Sequence, residues 1–345
     1  MLNYGRVERR GSMRIYVDCQ GGDNAPGAQI LGAINALKEY DNLQLVLAGD
    51  SDKISSLIPD DKLVLDRISI EHCCDSISNN ESPALAIRQK KDSSIVKGML
   101  GLRAGRVDGF VSSGSTGAVL LGGMLRLGRI AGIDRPALAP LLPNGDCEFL
   151  LIDCGANIDC KPEYLLQFAA MGEAYMRIIK GIKSPRVGLI NIGAEEEKGN
   201  ALVKDAYPLL KKSPLNFVGN VEARYITADK ADVLVCDGFV GNVVLKFMEG
   251  VAKTLLTIIK HELMSDNISK LGALLSKSAY KRVKKRFDYK EVGGAPLLGV
   301  QGAVVKAHGS SDAKAFTSAI RQCVKMVDGD IANAIEDNIK SIKEV

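Results

Sequence analysis

The feature that most constrains this chain is a recurring unit. A short apolar run ends in a turn carrying Gly, Asp or Asn, and a stretch with helical spacing follows. MRIYVDCQ reads as a strand, GGDNAPG as the turn and AQILGAINALKEY as the helix. LQLVLAGD, ISIEHC, DGFVSSGS, FLLIDCG, RVGLINIG, LNFVGNV and DVLVCDG are further strand candidates. Helical spacing covers roughly 83–104, 161–180, 195–211, 241–264 and 312–342. Strands buried on both faces by helices need continuous apolar runs rather than alternation. The pattern therefore predicts βαβ units, a mainly parallel sheet and a three-layer α/β/α, Rossmann-like architecture, with a helical excursion near 250–290. No repeat, low-complexity segment or linker interrupts it, so 13–345 reads as a single α/β domain. Residues 1–12 (MLNYGRVERRGS) lack apolar periodicity and a signal-type apolar region, and read as a disordered tail.

In such a sheet, ligands bind beyond the carboxyl ends of the strands. The polar motifs fall at those places. They are Asp18 with Gly22, Asp23 and Asn24; Gly114, Ser115, Thr116 and Gly117; and Asp153 with Asn157. Further on come Asn191 followed by Lys198, then Asn220, then Asp237 with Asn242, and finally Lys306, His308, Ser310 and Ser311. Each motif alone is ordinary turn and capping chemistry. Seven of them on one sheet edge would line a cleft with backbone N–H groups at helix starts, which favours anions. Ser113-Gly114-Ser115-Thr116-Gly117 is the most phosphate-like loop, although it lacks the Walker A lysine. No dinucleotide fingerprint, nucleophile elbow or H-E-x-x-H occurs, so covalent and zinc chemistry are not favoured.

Composition excludes other classes. No apolar run reaches the ~20 residues that span a bilayer. Eight cysteines without C-x-x-C pairs, and with no histidine near them at metal spacing, suit reduced thiols rather than a metal site. A net charge of +4 does not imply nucleic acid. The one strong charge feature is local: eight Lys or Arg between Lys270 and Lys290 against Asp288 alone, including Lys281, Arg282, Lys284, Lys285 and Arg286. With Leu271, Leu274, Leu275, Ala279, Val283 and Phe287 on one helical face, these cations form either a solvated surface or a docking surface for something acidic. The stretch 241–264 is apolar on more than one face and needs burial, within the fold or against a second subunit.

VDCQGGDNAP, SGSTGAVL, LIDCGANIDCKPEYLLQFAAMG, VGLINIGAEEEKGN, NFVGNVEAR, VCDGFVGNVVLK, GGAPLLGV and KAHGSSDAKA, in that order, resemble the bacterial phosphate acyltransferases of phospholipid synthesis, the acyl-ACP:phosphate transacylases. The resemblance runs from Met13 to about Ala334. This chain departs from the family's usual motifs at Cys19 and Gln20, and at Ser113 and Ser115, where the family usually carries Ala and Asn. The resemblance implies a phosphotransacetylase-like fold, a homodimer and no organic cofactor or metal. It implies transfer of a fatty acyl group from acyl carrier protein to inorganic phosphate, in the cytoplasm or peripherally at the inner membrane face, for a membrane-bound glycerol-3-phosphate acyltransferase. Lys306, His308, Asn242 and Asn220 are the expected catalytic groups, and the other motif residues the phosphate or acyl-phosphate ligands. The basic stretch would meet acyl carrier protein or the anionic membrane. Two alternatives stay open: an acyl-CoA enzyme of the phosphotransacetylase kind, and a non-catalytic phosphometabolite-binding protein on the same scaffold.

Overall fold

A computed structural model describes residues 11–145, 147–286 and 293–343. The expected tail lies outside it up to residue 10, as do Phe287 and Lys290 of the basic stretch and the side chain of Lys285. The chain divides into two compact units. One holds the chain up to Ile130 and the stretch that ends at Ala332; the other begins at Ala131 and takes up the chain again from Asn333.

The first unit opens with β1 (Met13–Asp18), α1 (Gly27–Glu39), β2 (Leu43–Gly49), the short α2 (Ser51–Leu57) and α3 (Lys62–Leu65), and β3 (Ile68–His72). Then come α4 (Pro83–Gln89), α5 (Ser94–Arg103), β4 (Gly109–Ser112) and α6 (Thr116–Gly122), which runs on as a π-helical turn to Leu127. Its sheet order is β3-β2-β1-β4, continued by β12 (Ala303–Ala307) and β11 (Gly294–Leu298), which arrive late in the chain. All neighbours are parallel except β11 against β12. β1 is a central strand in which five of six residues are buried, as its apolar run requires. The helix α12 (Ala313–Asp328) packs on α1 and on β12, β4 and β1, while α5 packs on β1 and β4 with α6 beside it. Order 3-2-1-4 places a topological switch between β1 and β4, where the following loops diverge and leave a crevice.

The second unit contains β5 (Ala137–Leu138), β6 (Leu141–Asn144), β7 (Cys147–Ile152), α7 (Pro162–Lys180), β8 (Val187–Asn191), α8 (Ala201–Lys212), β9 (Phe217–Glu222) and β10 (Val233–Val235). Its sheet runs β6-β7-β10-β8-β9, parallel except for β6. α7 packs on β7 and β10, and α8 on α7, β8 and β9. α9 (Gly238–Leu263) lays Val240, Val244, Leu245 and Met248 on a cluster that includes Phe149, Leu151 and Leu234. α10 (Asn267–Leu275) and α11 (Lys277–Arg286) extend the helical excursion, and α13 (Ile331–Lys343) is the last helix among the described residues.

The α/β architecture with mainly parallel sheets is as the apolar runs predict. Details differ, each for a local reason. The strands form two sheets, so the seven motifs do not share one edge. The expected helix at 83–104 is broken before Ser93, whose hydroxyl caps α5 through the Val96 amide. The stretch 195–200 is loop, because Asn200 caps α8 and accepts from the Val203 amide at 3.0 Å. The last helix is two, separated by Gly329 and by Asp330 at φ 46°. The basic stretch divides after Leu275, and its Leu271, Leu274 and Leu275 are exposed rather than turned to a core. β11 and β12 are absent from the sequence reading; Gly294 and Pro296 mask the first, and the second is only five residues long.

Candidate active site

In the first unit the site is built on β1, β4 and β12, which lie side by side. The ends of these strands bring Asp18, Ser112 and Lys306 together, with Lys306 in direct register with Ser112. Asp18 is buried. Its Oδ1 accepts from the Ser94 hydroxyl at 2.6 Å and from the Gln20 amide at 3.0 Å, and its Oδ2 accepts from the Ser112 hydroxyl at 2.6 Å. Ser112 Oγ in turn accepts from the Gly114 amide at 3.0 Å. Asp18 therefore ties three segments and shapes the loop after β4, while its charge remains inside the site.

That charge faces a cation. Lys306 is buried, with Nζ bonded to the Ala307 carbonyl. Burial pulls its pKa down to about 8, against the opposing attraction of Asp18 and Asp23. A buried ammonium with a nearly balanced charge state is a ready partner for an incoming anion. Around it lie the groups at the loop tips. Asp23 and Asn24 are exposed, and the Asp23 amide donates to the Gly309 carbonyl at 2.8 Å. Asn24 Nδ2 donates to the carbonyls of Ser310 and Ser311 at 3.3 and 3.1 Å. His308 is exposed; its Nδ1 lies 2.8 Å from Ser310 Oγ and accepts from the Ser310 amide. Ser311 is buried just before α12, and its hydroxyl has no partner among the described residues. Ser115 is buried at the start of α6, followed by exposed Thr116 and half-buried Gly117. Gly21 and Gly22 let the turn after β1 close on this loop: a Cβ on Gly21 would lie 2.4 Å from Gly114 Cα, and Gly22 has φ +95°.

In the second unit the carboxyl end of β7 carries Asp153, fully buried. Its Oδ1 accepts from the Leu138 amide at 2.9 Å, and its Oδ2 from the amides of Ala156 and Asn157 at 3.1 and 2.6 Å and from Asn157 Nδ2 at 3.1 Å. Burial nevertheless raises its pKa to about 6 against those hydrogen bonds. Asn157 also donates Nδ2 to the Pro136 carbonyl at 2.8 Å, so its side chain braces the turn. Asp237 caps α9, with Oδ1 accepting from the Val240 amide at 2.9 Å. The glycine four residues on is needed for packing: a Cβ on Gly241 would lie 1.9 Å from the Asp153 carbonyl oxygen. Exposed Asn242 sits beside Gly155, whose Cβ would lie 3.6 Å from Asn242 Cγ. A second group follows β8 and β9. Asn191 is buried and closes its loop, donating Nδ2 to the Lys198 carbonyl at 3.0 Å and accepting from the Ile192 amide. Asn220 Nδ2 donates to the Glu195 carbonyl at 2.8 Å, and its buried Oδ1 has no partner among the described residues. The Lys198 side chain is exposed.

The motif residues thus gather by unit. Asp18, Gly22, Asp23, Asn24, Gly114–Gly117, Lys306, His308, Ser310 and Ser311 form one group, and Asp153, Asn157, Asp237 and Asn242 another beside Asn191, Lys198 and Asn220. Lys281, Arg282, Lys284 and Arg286 belong to neither; they are exposed on α11. Sequence reading passed over Ser94, Ser112 and Gln29, and noted Gln20 only as a departure from the usual motif; these four hold the first group together. Only Gln29 carries a signal, as a polar residue on the buried stripe of α1.

The fold defined by these sheets is that of the phosphotransacetylases. A phosphotransacetylase from Streptococcus pyogenes superposes with a TM-score of 0.59 at 17% identity, covering 94% of each chain. A branched-chain phosphotransacylase from Enterococcus faecalis V583 gives 0.59 at 14% identity, covering 91% of this chain and 99% of the other. Residues 13–334 match the model of the family described as fatty acid synthesis protein, and the chain belongs to that family. It is 48% identical over 331 residues to the phosphate acyltransferase of Clostridium tetani, covering 96% of this chain and 99% of that one, and it is an acyltransferase.

Proposed function

We propose that the chain moves a fatty acyl group from acyl carrier protein to inorganic phosphate, giving acyl phosphate and the free carrier thiol. The observation that carries this reading is Lys306: a buried cation at a strand end, among two anion-suited loops and the start of a 16-residue helix. A phosphate oxygen attacks the thioester carbonyl, the C–O bond forms, the C–S bond breaks, and the proton of hydrogenphosphate ends on the carrier thiol. No enzyme nucleophile is required, because phosphate is itself anionic and the thioester carbonyl is electrophilic. The protein's tasks are to hold phosphate in line and to stabilise the oxyanion. Lys306, with loop amides and the Ser310 and Ser311 hydroxyls, suits the phosphate, and His308 of the same loop can protonate the leaving thiolate. Asp18, Asp153, Asn157 and Asn191 act by bracing the loops.

The fate of labelled phosphate tests the reading. With C12–C18 acyl-ACP, mass spectrometry should find the label in acyl phosphate. Label appearing only with acyl-CoA would replace the carrier in the proposal, and none with either donor would reduce the site to binding. We further propose a homodimer, closed over the apolar residues that α9 and α10 leave exposed, such as Phe247 at 70% and Leu275 at 80%. The cations of α11 suit an acidic partner, either the carrier or an anionic membrane face that would keep a cytoplasmic enzyme near the glycerol-3-phosphate acyltransferase it supplies. Among the described residues no helix is long and apolar enough to cross a membrane.

A further inference from the structure

Gln29 lies in the first turn of α1 and is 1% exposed. The other large inward residues of that helix are Ile30, Ile34 and Leu37. A primary amide on such a stripe is costly unless its polar atoms are bonded. Gln29 Nε2 donates to two acceptors at once: the Gly21 carbonyl at 2.7 Å and Ser113 Oγ at 2.9 Å. Ser113 Oγ itself donates to the Gly21 carbonyl at 2.8 Å. The three groups close a triangle that joins α1, the turn after β1 and the loop after β4. These are the two loops that diverge at the topological switch. Gly21 and Gly114 already touch backbone to backbone there, so the spacing of the loops has little slack except through this triangle. Gln29 Oε1 is buried without a partner among the described residues, so the amide is held by its donor side alone.

We propose that Gln29 is a positioning residue: its amide sets the spacing of the Gly21–Gly22 turn and the Ser113–Thr116 loop, and through that spacing the affinity of the site for phosphate. This rests on the reading that these loops hold phosphate. Gln29 touches no reacting atom. Removing its amide leaves the two loops tied by the Ser113 hydroxyl alone and loosens their spacing while leaving Lys306 in place, so it weakens ground-state phosphate binding more than the chemical step.

The experiment compares the wild-type chain with Gln29→Met, Ser113→Ala and the double variant. Methionine keeps length and fills the apolar pocket without a donor. Initial rates are measured against phosphate and against acyl donor, and the melting temperature with and without inorganic phosphate. Gln29→Met should raise KM for phosphate about fivefold, the value of one ordinary hydrogen bond, with kcat and the acyl-donor KM within about twofold. The rise in melting temperature produced by phosphate should shrink in parallel. The double variant should lose more than the sum of the singles, because each single leaves the Gly21 carbonyl one side-chain donor and the double leaves it none. An unchanged KM for phosphate in Gln29→Met overturns the proposal. So does a uniform loss in kcat and both KM values that follows a lower melting temperature, which is the signature of packing alone. If Gln29→Met does not fold, Ser113→Ala decides by the same two readouts. A wild-type chain that neither turns over phosphate nor is stabilised by it would defeat the functional reading itself, a result distinct from any difference between variants.

Discussion

Lys306 faces two demands that pull against each other. A buried ammonium is costly, and Asp18 and Asp23 offset that cost only in part, so its pKa falls to about 8 from the usual 10.5. The unfolded chain therefore holds the proton more tightly between pH 8 and 10.5. Folding stability should rise with pH across that window, by at most about 3 kcal/mol from this group, and the cost is fully present below pH 8. Activity should move the other way: kcat/KM for phosphate falls as pH climbs through about 8 and the cation disappears. Lys306→Met should remove both trends. It should be at least as stable as wild type at pH 7 and at least about tenfold slower, about 1.4 kcal/mol of transition-state stabilisation. Thermal melts and rates over pH 6–10 check this, and a variant with the wild-type pH–rate profile takes Lys306 out of the site. The residue types were legible in the sequence here. Lys306 stands in a Lys-Ala-His-Gly-Ser-Ser run, and its chemistry follows from that. Its burial was not legible, because it depends on β4 lying alongside β12, nearly two hundred residues apart in the chain.

At the scale of elements, the start of α9 shows how one motif serves packing more than ligand contact. Asp237 caps the helix, and Gly241 lets the helix backbone rest on the Asp153 carbonyl. Gly250, nine residues further on, has nothing within 4 Å of where a Cβ would sit. The two glycines of one helix should respond with opposite sign. Gly241→Ala should cost about 1–3 kcal/mol through overpacking and displace the Asp153 turn, with a matching loss of turnover. Gly250→Ala should be stabilising by up to about 1 kcal/mol from helix propensity, with activity kept. Chemical denaturation of the two variants decides it; equal effects would mean that the helix start can shift freely. The sequence Asp-Gly-Phe-Val-Gly-Asn announces a strand-to-helix turn. It does not tell a glycine that admits a ligand from one that admits a neighbouring backbone, since both leave the same residue in the chain.

At the scale of the whole molecule, the open question of α9 is what meets its outer face. Part of it covers the core of the second unit, while Phe239, Val243, Phe247, Val251 and Leu255 remain exposed. An apolar strip of this length favours association with a second copy. Light scattering at micromolar concentration should read about twice 37.0 kDa. In the same preparation, replacing Lys281, Arg282, Lys284 and Lys285 with Glu should leave the mass unchanged. It should raise KM for acyl-ACP if α11 meets the carrier, or abolish co-sedimentation with anionic liposomes if it meets the membrane. Both effects should weaken with salt, since exposed charges are screened over about 10 Å at 0.1 M. A reading of 37 kDa contradicts the dimer, and no movement in either binding measurement leaves α11 a solvated surface.

The sequence by itself determined the class of fold, the ends of the strands at which polar groups collect, and the family. Apolar runs, turn residues and helical spacing are properties of contiguous residues, and each helix satisfies most of its backbone hydrogen bonds within itself. Strand order is not such a property. The tertiary structure alone decided that the strands form two sheets and that Asp18, Ser94, Ser112 and Lys306 meet. It also decided that Asn157 and Asn191 turn their amides inward to brace loops, and that Gln29 reaches across to Ser113. Each of these is a contact between segments distant in the chain or a choice among rotamers. Burial and the need to pair every buried polar group make that choice only once the layers have closed.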